Sequence, residues 1–285
     1  MSRMTQEVEN RKIGIIAGGG QFPLLFVEAA RKAGRQVVVI AHKGETDKRV
    51  TEAADEVYWV KLGQLGRVIS LFKKSGVAET VFLGTITKTR IFRDVFPDLK
   101  GLTLWNKIDR KQDDAILRAI ADTLEREGIK VLESTLYLSH LLFPAGVLTK
   151  NKPSKKQIKD IEFGWKNARE IGRLDIGQCV VVRDCSVMAV EAIEGTDEAI
   201  LRGGRLAKEN AVVVKVRKPG QDFRFDLPAT GVRTLESLRR VHGSVLAVEA
   251  GQSLLFDREK MIEEADKSGI VVVGVVEQED GKLIM

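Results

Sequence analysis

The first half of the chain shows two different patterns of apolar and polar positions. Short apolar runs are bounded by turn residues, and between them apolar side chains recur at helical spacing, as at Val68, Ile69 and Phe72. Strands that alternate with helices form a parallel sheet covered on both faces. We therefore predict an α/β, Rossmann-like N-terminal domain with strands at Ile13–Ala17, Gln36–Ala41, Glu56–Val60, Glu79–Leu83 and Lys130–Leu132.

The second half of the chain departs from this strict alternation. After a helix predicted from Pro153 to about Gly172, two apolar runs face each other across a short turn and predict a β-hairpin. A hairpin beside strands that are joined through helices gives a mixed sheet. The predicted elements are the hairpin Cys179–Arg183 and Ser186–Val190, a helix from Gly195, strands at 211–216, 244–249, 253–256 and 270–275, and helices around 235–241 and 257–268.

The break at Phe143–Gly146 sets the predicted domain boundary. We expect a Rossmann-like N-terminal domain over residues 1–140 and a C-terminal α/β domain with a mixed sheet over residues 141–285. Residues 90–109 show no regular period and are predicted to be irregular. Asp257 is predicted to cap the last helix.

Composition narrows the class of protein. The chain has 285 residues, a formal net charge of +6, and no apolar run long enough to span a membrane. Two cysteines and no signal peptide predict a reduced, cytoplasmic protein. A basic balance suits an anionic ligand, an anionic membrane surface or nucleic acid, and an ordinary solvated surface explains it equally well. Because no basic strand is rich in aromatic residues, we expect no nucleic-acid partner.

A glycine turn is the first candidate for chemistry. Gly18, Gly19 and Gly20 follow the first strand and precede a helix with Pro23 in its first turn. Glycines let backbone N–H groups approach an anion, and a helix N-terminus favours negative charge. The spacing is neither the full dinucleotide fingerprint nor a P-loop, so a tight βα turn is an equal alternative. Gly84, Thr85 and Lys88 follow the fourth strand and are expected at the same crevice.

Carboxylates form the second candidate. Four acids surround the predicted hairpin and the start of the next helix, and Asp226 stands before a Leu-Pro turn, downstream of Lys215. Carboxylate oxygens suit Mg²⁺, and a carboxylate can orient a water for hydrolysis of a phosphoanhydride. An Asp in this context is more often a turn residue. The run Lys111–Asp114 is interpreted first as acidic capping of a helix, with part of a site as the alternative. The four acids are Asp175, Glu191, Glu194 and Asp197.

Four segments in this order carry a family resemblance. Ile15–Gly20, Gly172–Gln178, Ala189–Asp197 and Asp226–Pro228 together resemble the LpxI-type UDP-2,3-diacylglucosamine pyrophosphatases over nearly the whole chain. The resemblance implies hydrolysis of UDP-2,3-diacylglucosamine to UMP and 2,3-diacylglucosamine 1-phosphate (lipid X) in lipid A biosynthesis. It also implies Mg²⁺ or another divalent cation, attack of water on the sugar-side phosphorus, a homodimer, and contact with the inner face of the cytoplasmic membrane.

The resemblance and the residues together give the expected site. Asp226 corresponds to the essential aspartate of the family and is the expected catalytic residue. Asp226, Glu191 and Glu194 are the expected metal ligands. The UDP-linked diacylated glucosamine lipid is expected to contact Gly18, Gly19, Gly20, Gly84, Thr85, Thr196 and Lys215.

Two other functions are alternatives. A non-catalytic nucleotide-binding regulator would use the glycine turn alone. An NAD-dependent oxidoreductase is disfavoured because the third glycine of the fingerprint is missing, and because His42 and Lys43, rather than an acid, stand at the end of the second strand.

Overall fold

The computed structural model describes residues 12–86, 97–107, 113–225 and 227–285. The chain divides into two compact units, Met1–Ser139 with Asp222–Asp226, and His140–Gln221 with Leu227–Met285. Each unit has its own sheet and its own core.

The first unit is built on a parallel sheet. Its strands are β1 (Lys12–Ala17), β2 (Gln36–His42), β3 (Glu56–Val60), β4 (Glu79–Leu83) and β5 (Lys130–Val131), and its helices are α1 (Phe22–Lys32), α2 (Lys48–Ala53), α3 (Leu65–Lys74), α4 (Leu99–Lys107) and α5 (Asp113–Arg126). The strand order is β3-β2-β1-β4-β5, and every pairing among them is parallel. The predicted α/β, Rossmann-like fold is confirmed.

The predicted helical stripe packs on this sheet. Val68, Ile69 and Phe72 are buried. The ring of Phe72 lies so close to β1 that a Cβ added at Gly14 would be 2.7 Å from it. A glycine in β1 therefore lets α3 approach the sheet.

A short segment returns to the first unit from late in the chain. Phe225 is buried, and its ring meets that of Phe82 edge-on with centroids 5.5 Å apart. Arg224 pairs with Asp222 at 2.9 Å and with Glu125 at 3.0 Å. The predicted boundary near residue 141 did not include this return.

The second unit is built on a mixed sheet. Its elements are a 3₁₀ turn (Ser139–Leu141), β6 (Gly146–Val147), α6 (Lys155–Arg173), β7 (Cys179–Arg183), β8 (Ser186–Val190), α7 (Thr196–Ala207), β9 (Val212–Lys215), β10 (Ala229–Thr230), α8 (Val232–Arg240), β11 (Val245–Glu249), β12 (Leu254–Leu255), α9 (Arg258–Lys267), β13 (Val271–Glu277) and β14 (Leu283–Ile284). The order is β14-β13-β11-β9-β7-β8, with β6 beside β13 and a separate β10-β12 pair. β9, β11 and β13 run parallel, whereas β7 is antiparallel to β8 and β9.

Helices cover both faces of the mixed sheet. Ile161, Trp165 and Ala168 of α6 pack on one face, and Gly164 lies against Val214, where an added Cβ would be 2.7 Å from its side chain. Side chains of α7, α8 and α9 join the core on the opposite face. The predicted mixed α/β arrangement is confirmed.

Two local predictions are wrong, and a third falls outside the described side chains. Residues 99–107 form α4, so the prediction of an irregular segment is wrong there; its other residues in 90–96 and 108–109 lie outside the described residues. Asp257 precedes α9 with a left-handed φ of 50° and makes no side-chain cap, so the predicted cap is also wrong. The run Lys111–Asp114 lies outside the described residues or has no described side chain.

No helix in the described ranges is both long and apolar enough to cross a membrane. Cys179 and Cys185 are both free thiols.

Candidate functional site

Two loops meet at the carboxyl edge of the first sheet. The N–H of Gly18 donates to the Leu83 oxygen at 2.8 Å, and the N–H of Gly19 donates to the Thr85 oxygen at 2.8 Å. Thr85 returns a bond of 3.2 Å to the Gly19 oxygen. The structure thus joins the loops that the sequence analysis expected at one crevice. Their contact with substrate stays a prediction, and Lys88 lies outside the described residues.

Glycine is required where these loops touch. A Cβ at Gly18 would lie 2.5 Å from the Thr85 oxygen, and one at Gly84 would lie 2.3 Å from the Gly19 oxygen. Gly84 also has a φ of +82°, which favours glycine. Gly20 has open space around it and stands just before α1, whose first turn contains a proline. The N–H groups of Gly18 and Gly19 are used within the fold, so the open backbone at Gly20, beside a helix N-terminus, is the part of the turn that suits a phosphate.

A buried histidine holds the strand that leads into the glycine turn. The Ala17 oxygen accepts hydrogen bonds from Thr46 Oγ1 at 2.7 Å and from His42 Nδ1 at 3.1 Å. Burial lowers the pKa of His42, so the ring is neutral and its proton stands on Nδ1, facing a carbonyl oxygen. Nothing local in the sequence indicates this contact, because the two residues are 25 positions apart.

In the second unit, Glu191 is a buried carboxylate at a helix N-terminus. Its Oε1 accepts from Thr196 Oγ1 at 2.9 Å, and its Oε2 accepts from the Gln178 N–H at 3.4 Å. Thr196 opens α7, and the preceding Gly195 has a φ of +87° and no capping side chain. The positive end of α7 favours the negative charge of Glu191.

Lys215 is a buried cation on the neighbouring strand. Its side chain is 3% exposed, and its Nζ donates to the Ala229 oxygen at 2.7 Å. Within the described ranges this is its one hydrogen bond. Lys215 stands opposite Cys179 across β9 and β7. Burial raises the pKa of the Cys179 thiol, the charge of Glu191 adds to this rise, and the charge of Lys215 opposes it, so both charges act on one small region.

Two buried oxygens without described partners belong to residues next in sequence to neighbours of Lys215. Gln178 Oε1 and Thr230 Oγ1 are buried and have no hydrogen-bond partner in the described part of the chain. Gln178 precedes Cys179, and Thr230 follows Ala229, so each is next to a residue that lies against Lys215. Buried polar atoms are nearly always paired, so these oxygens mark where a bound polar group would fit.

The other predicted acids are engaged elsewhere. Glu194 pairs with Arg202 at 2.5 Å, and the Arg202 hydrogen bond lowers its pKa. Asp175 pairs with Lys218 at 2.8 Å, and Asp197 lies 3.6 Å from Arg233. Of the four acids, Glu191 is the buried one. Asp226 follows Phe225 in the chain and lies outside the described residues.

Comparison with known proteins decides the family. The LpxI N-terminal domain model matches residues 12–141, and the LpxI C-terminal domain model matches residues 144–273. The chain belongs to the LpxI family. It is 35% identical over 282 residues to the UDP-2,3-diacylglucosamine pyrophosphatase LpxI of Caulobacter vibrioides, covering 94% of this chain and 99% of that protein.

Among solved structures the similarity is low. Phosphoribosylglycinamide synthetase from Anaerococcus prevotii is 12% identical with a TM-score of 0.27, and the match covers 67% of this chain and 34% of that one. The biotin carboxylase subunit of pyruvate carboxylase is 15% identical with a TM-score of 0.27, over 64% and 35% of the two chains. This LpxI-family chain thus spans about a third of the length of each of these two proteins.

The described residues do not by themselves assemble a metal centre of the kind predicted for the family. Glu194 is bound by Arg202, and Glu191 accepts from Thr196 and Gln178. Across the described ranges, no group of three or more His, Cys, Asp or Glu side chains is placed to hold a metal ion. The predicted ligand set includes Asp226, so it stays a prediction.

Proposed function

We propose that this protein hydrolyses the pyrophosphate of UDP-2,3-diacylglucosamine to UMP and 2,3-diacylglucosamine 1-phosphate, a step of lipid A biosynthesis. The observation that carries the proposal is the end-to-end match to a relative named UDP-2,3-diacylglucosamine pyrophosphatase, at 35% identity over 99% of its length. Both LpxI domains are matched in order along the chain.

Buried Lys215 supports an anionic substrate. A desolvated ammonium is costly unless it is paired, and this one has a single hydrogen bond, to Ala229, within the described residues. In this proposal its other N–H groups bind a diphosphate oxygen and stabilise the charge that develops in the transition state. The Thr230 hydroxyl, next in the chain to Ala229, is proposed to donate to the same anion.

Asp226 is proposed as the residue that activates water. Its carboxylate accepts a proton as the water oxygen bonds to the sugar-side phosphorus. The bond between that phosphorus and the bridging oxygen then breaks, and the bridging oxygen leaves with UMP. Glu191 holds Thr196 at the start of α7, and so positions the polar groups near Lys215.

The glycine turn is proposed to contact the nucleotide part of the substrate. The N–H groups of Gly18 and Gly19 are held by the Leu83 and Thr85 oxygens and fix the turn, and the exposed backbone at Gly20, beside the start of α1, is the part proposed to contact the nucleotide. A requirement for Mg²⁺ or another divalent cation, a homodimer, and contact with the inner membrane surface are further parts of the proposal. Chelation followed by metal add-back, and measurement of the mass in solution, test the first two.

Release of UMP tests the function directly. Purified protein is incubated with UDP-2,3-diacylglucosamine and with each of several divalent cations, and UMP is measured by chromatography. Asp226→Asn keeps the size of the side chain but removes the base, and we expect a loss of about 100-fold or more. Asp280→Asn, an exposed position in the last turn, is the matched control and should retain full activity.

The same samples address the nucleotide-binding regulator. That function predicts that UDP raises the melting temperature while no UMP is released by the wild type with any cation. Such a result would reject hydrolysis and leave the glycine turn as a binding site.

A further inference from the structure

A cluster of lysines stands at the start of α6. Ten residues, Lys150–Lys159, contain five lysines and no acid. All five are exposed. We call residues 150–159 the lysine segment; its lysines are Lys150, Lys152, Lys155, Lys156 and Lys159.

Nearby acids leave most of this charge uncompensated. Lys156 pairs with Asp184 at 2.5 Å, and the other four lysines make no ion pair with any described residue. Asp160, the next residue, is 3% exposed and accepts the N–H groups of Asp184 and Cys185 in the hairpin turn. The Asp160 carboxylate is therefore hydrogen-bonded to the backbone of the hairpin turn and forms no ion pair with the lysines.

Two of the lysines occupy an electrostatically unfavourable position. Lys155 and Lys156 begin the 19-residue helix α6, where the macrodipole disfavours cations, and no acid stands in that first turn. The capping box of Ser154 and Gln157 satisfies the helix end without them. By contrast, Arg239 and Arg240 occupy the last turn of α8, where the dipole favours them.

Two cations at other helix starts have acidic partners, whereas Lys48 and Arg258, which begin α2 and α9, make no ion pair with a described residue. Arg49 in α2 pairs with Asp47 at 2.8 Å. Arg233 in α8 lies 3.6 Å from Asp197. The lysine segment lacks such partners for four of its five charges within the described chain, so an external anion would improve its local electrostatics.

We propose that the lysine segment docks on the surface of an anionic lipid bilayer. A cluster of four or more basic residues on a helix end is attracted to anionic headgroups, and each lysine near the surface adds to the binding. The segment contains no aromatic side chain on which nucleobases could stack. The choice of a bilayer over other polyanions rests on the proposed function, because that substrate is a membrane lipid.

Vesicle flotation of the full chain tests this proposal without an activity readout. Vesicles of phosphatidylcholine alone are compared with vesicles of equal parts phosphatidylcholine and phosphatidylglycerol. The cluster variant combines Lys152→Gln, Lys155→Gln and Lys159→Gln. The control variant combines Lys166→Gln, Lys260→Gln and Lys282→Gln, three exposed lysines dispersed over the same unit, and has the same net charge.

We expect the wild type to bind the anionic vesicles alone, and to be released by added salt. The cluster variant should lose at least about tenfold in vesicle affinity, while the control variant changes less than about twofold. Equal weakening of both variants, or no binding by the wild type, would overturn the proposal. Tighter binding to duplex DNA than to the vesicles at equal salt would also overturn it, in favour of a nucleic-acid surface.

Failure of the enzymatic function is distinguishable from failure of this surface. With detergent-dispersed UDP-2,3-diacylglucosamine, the cluster variant should release UMP at the wild-type rate. If the cluster variant alone loses vesicle binding, but neither the wild type nor either variant releases UMP, the hydrolase proposal fails and the docking proposal is supported.

Discussion

Lys215 Nζ lies 2.7 Å from the Ala229 oxygen, and the side chain that makes this bond is 3% exposed. A buried ammonium held by one neutral acceptor contributes little to the stability of the fold, because its desolvation is largely uncompensated. The anionic substrate of the proposed function would compensate its charge.

Replacing this lysine should separate activity from stability. Lys215→Met keeps the length of the side chain and removes the charge. We expect UMP release to fall by about 100-fold or more, while the melting temperature stays unchanged or rises by roughly 2–4 °C. Exposed Lys166→Met is the control and should change neither. A strongly destabilised Lys215→Met protein with normal turnover would show that the lysine is structural.

Thr230 and Thr80 offer a matched pair of buried hydroxyls. Thr230 Oγ1 has no partner among the described residues, whereas Thr80 Oγ1 donates to the Gly14 oxygen at 3.1 Å. Thr→Val preserves shape and removes the hydroxyl. In urea unfolding we expect Thr230→Val to raise the free energy of unfolding by about 1 kcal/mol and Thr80→Val to lower it by about 1 kcal/mol.

The pair also separates a ligand contact from a packing role. Thr230→Val should raise KM for the UDP-linked lipid, and Thr80→Val should leave it unchanged. Destabilisation by both substitutions would mean that the Thr230 hydroxyl has a partner in the fold.

Gly18→Ala should disrupt the contact between the two loops of the first sheet. Its Cβ would lie 2.5 Å from the Thr85 oxygen, well inside van der Waals contact. At Gly19 the nearest backbone atom would be 3.3 Å away, the Glu45 oxygen. We expect Gly18→Ala to weaken UDP binding, measured by calorimetry, by at least about tenfold more than Gly19→Ala does. Equal effects would place the nucleotide elsewhere.

His42 should make stability depend on pH. Burial lowers the pKa of His42 below its ordinary value of 6.5. As the pH falls below 6.5, the unfolded chain binds a proton that the folded protein does not, so the free energy of unfolding decreases until the folded pKa is passed. Above 6.5 both states are neutral at this residue, and its contribution is constant.

Denaturant titrations from pH 7.5 to 5 measure this slope. His42→Gln should flatten it, whereas exposed His140→Gln should not. An unchanged slope in His42→Gln would mean that the histidine does not carry the pH dependence.

The hairpin shows what the sequence pattern could predict. Cys179–Arg183 and Ser186–Val190 were predicted with the bounds that the structure has, because β-branched runs on both sides of a two-residue turn define both strands. The anchor of that turn was not predictable. Asp160 accepts the Cys185 N–H at 2.6 Å from 25 residues away, and nothing local in the sequence selects it.

Other features were missed because they lack a local signal. α4 exposes Leu99 and Leu102, so it has no clean apolar stripe. β6 has two residues, too few for a period. Residues 222–225 return to the first unit, where Phe225 contacts Phe82. This contact joins residues far apart in the sequence, so no local pattern predicts it.

The sequence predicted which residue types form the candidate site. It predicted the contact between the glycine loops, but not the positions of the acids. Gly18–Gly20 meet Gly84 and Thr85, as expected for the carboxyl ends of neighbouring parallel strands. The four acids expected to form one cluster do not do so. Three of them pair instead with Arg202, Lys218 and Arg233. The unpaired oxygens of Gln178 and Thr230 could be recognised once their burial was known.

Hydrolysis in ¹⁸O-labelled water tests the central claim most directly. UDP-2,3-diacylglucosamine is turned over by the wild-type protein, and both products are analysed by mass spectrometry. We predict one ¹⁸O atom in 2,3-diacylglucosamine 1-phosphate and none in UMP, because water attacks the sugar-side phosphorus. Intact substrate after prolonged incubation, or ¹⁸O in UMP, would contradict this account.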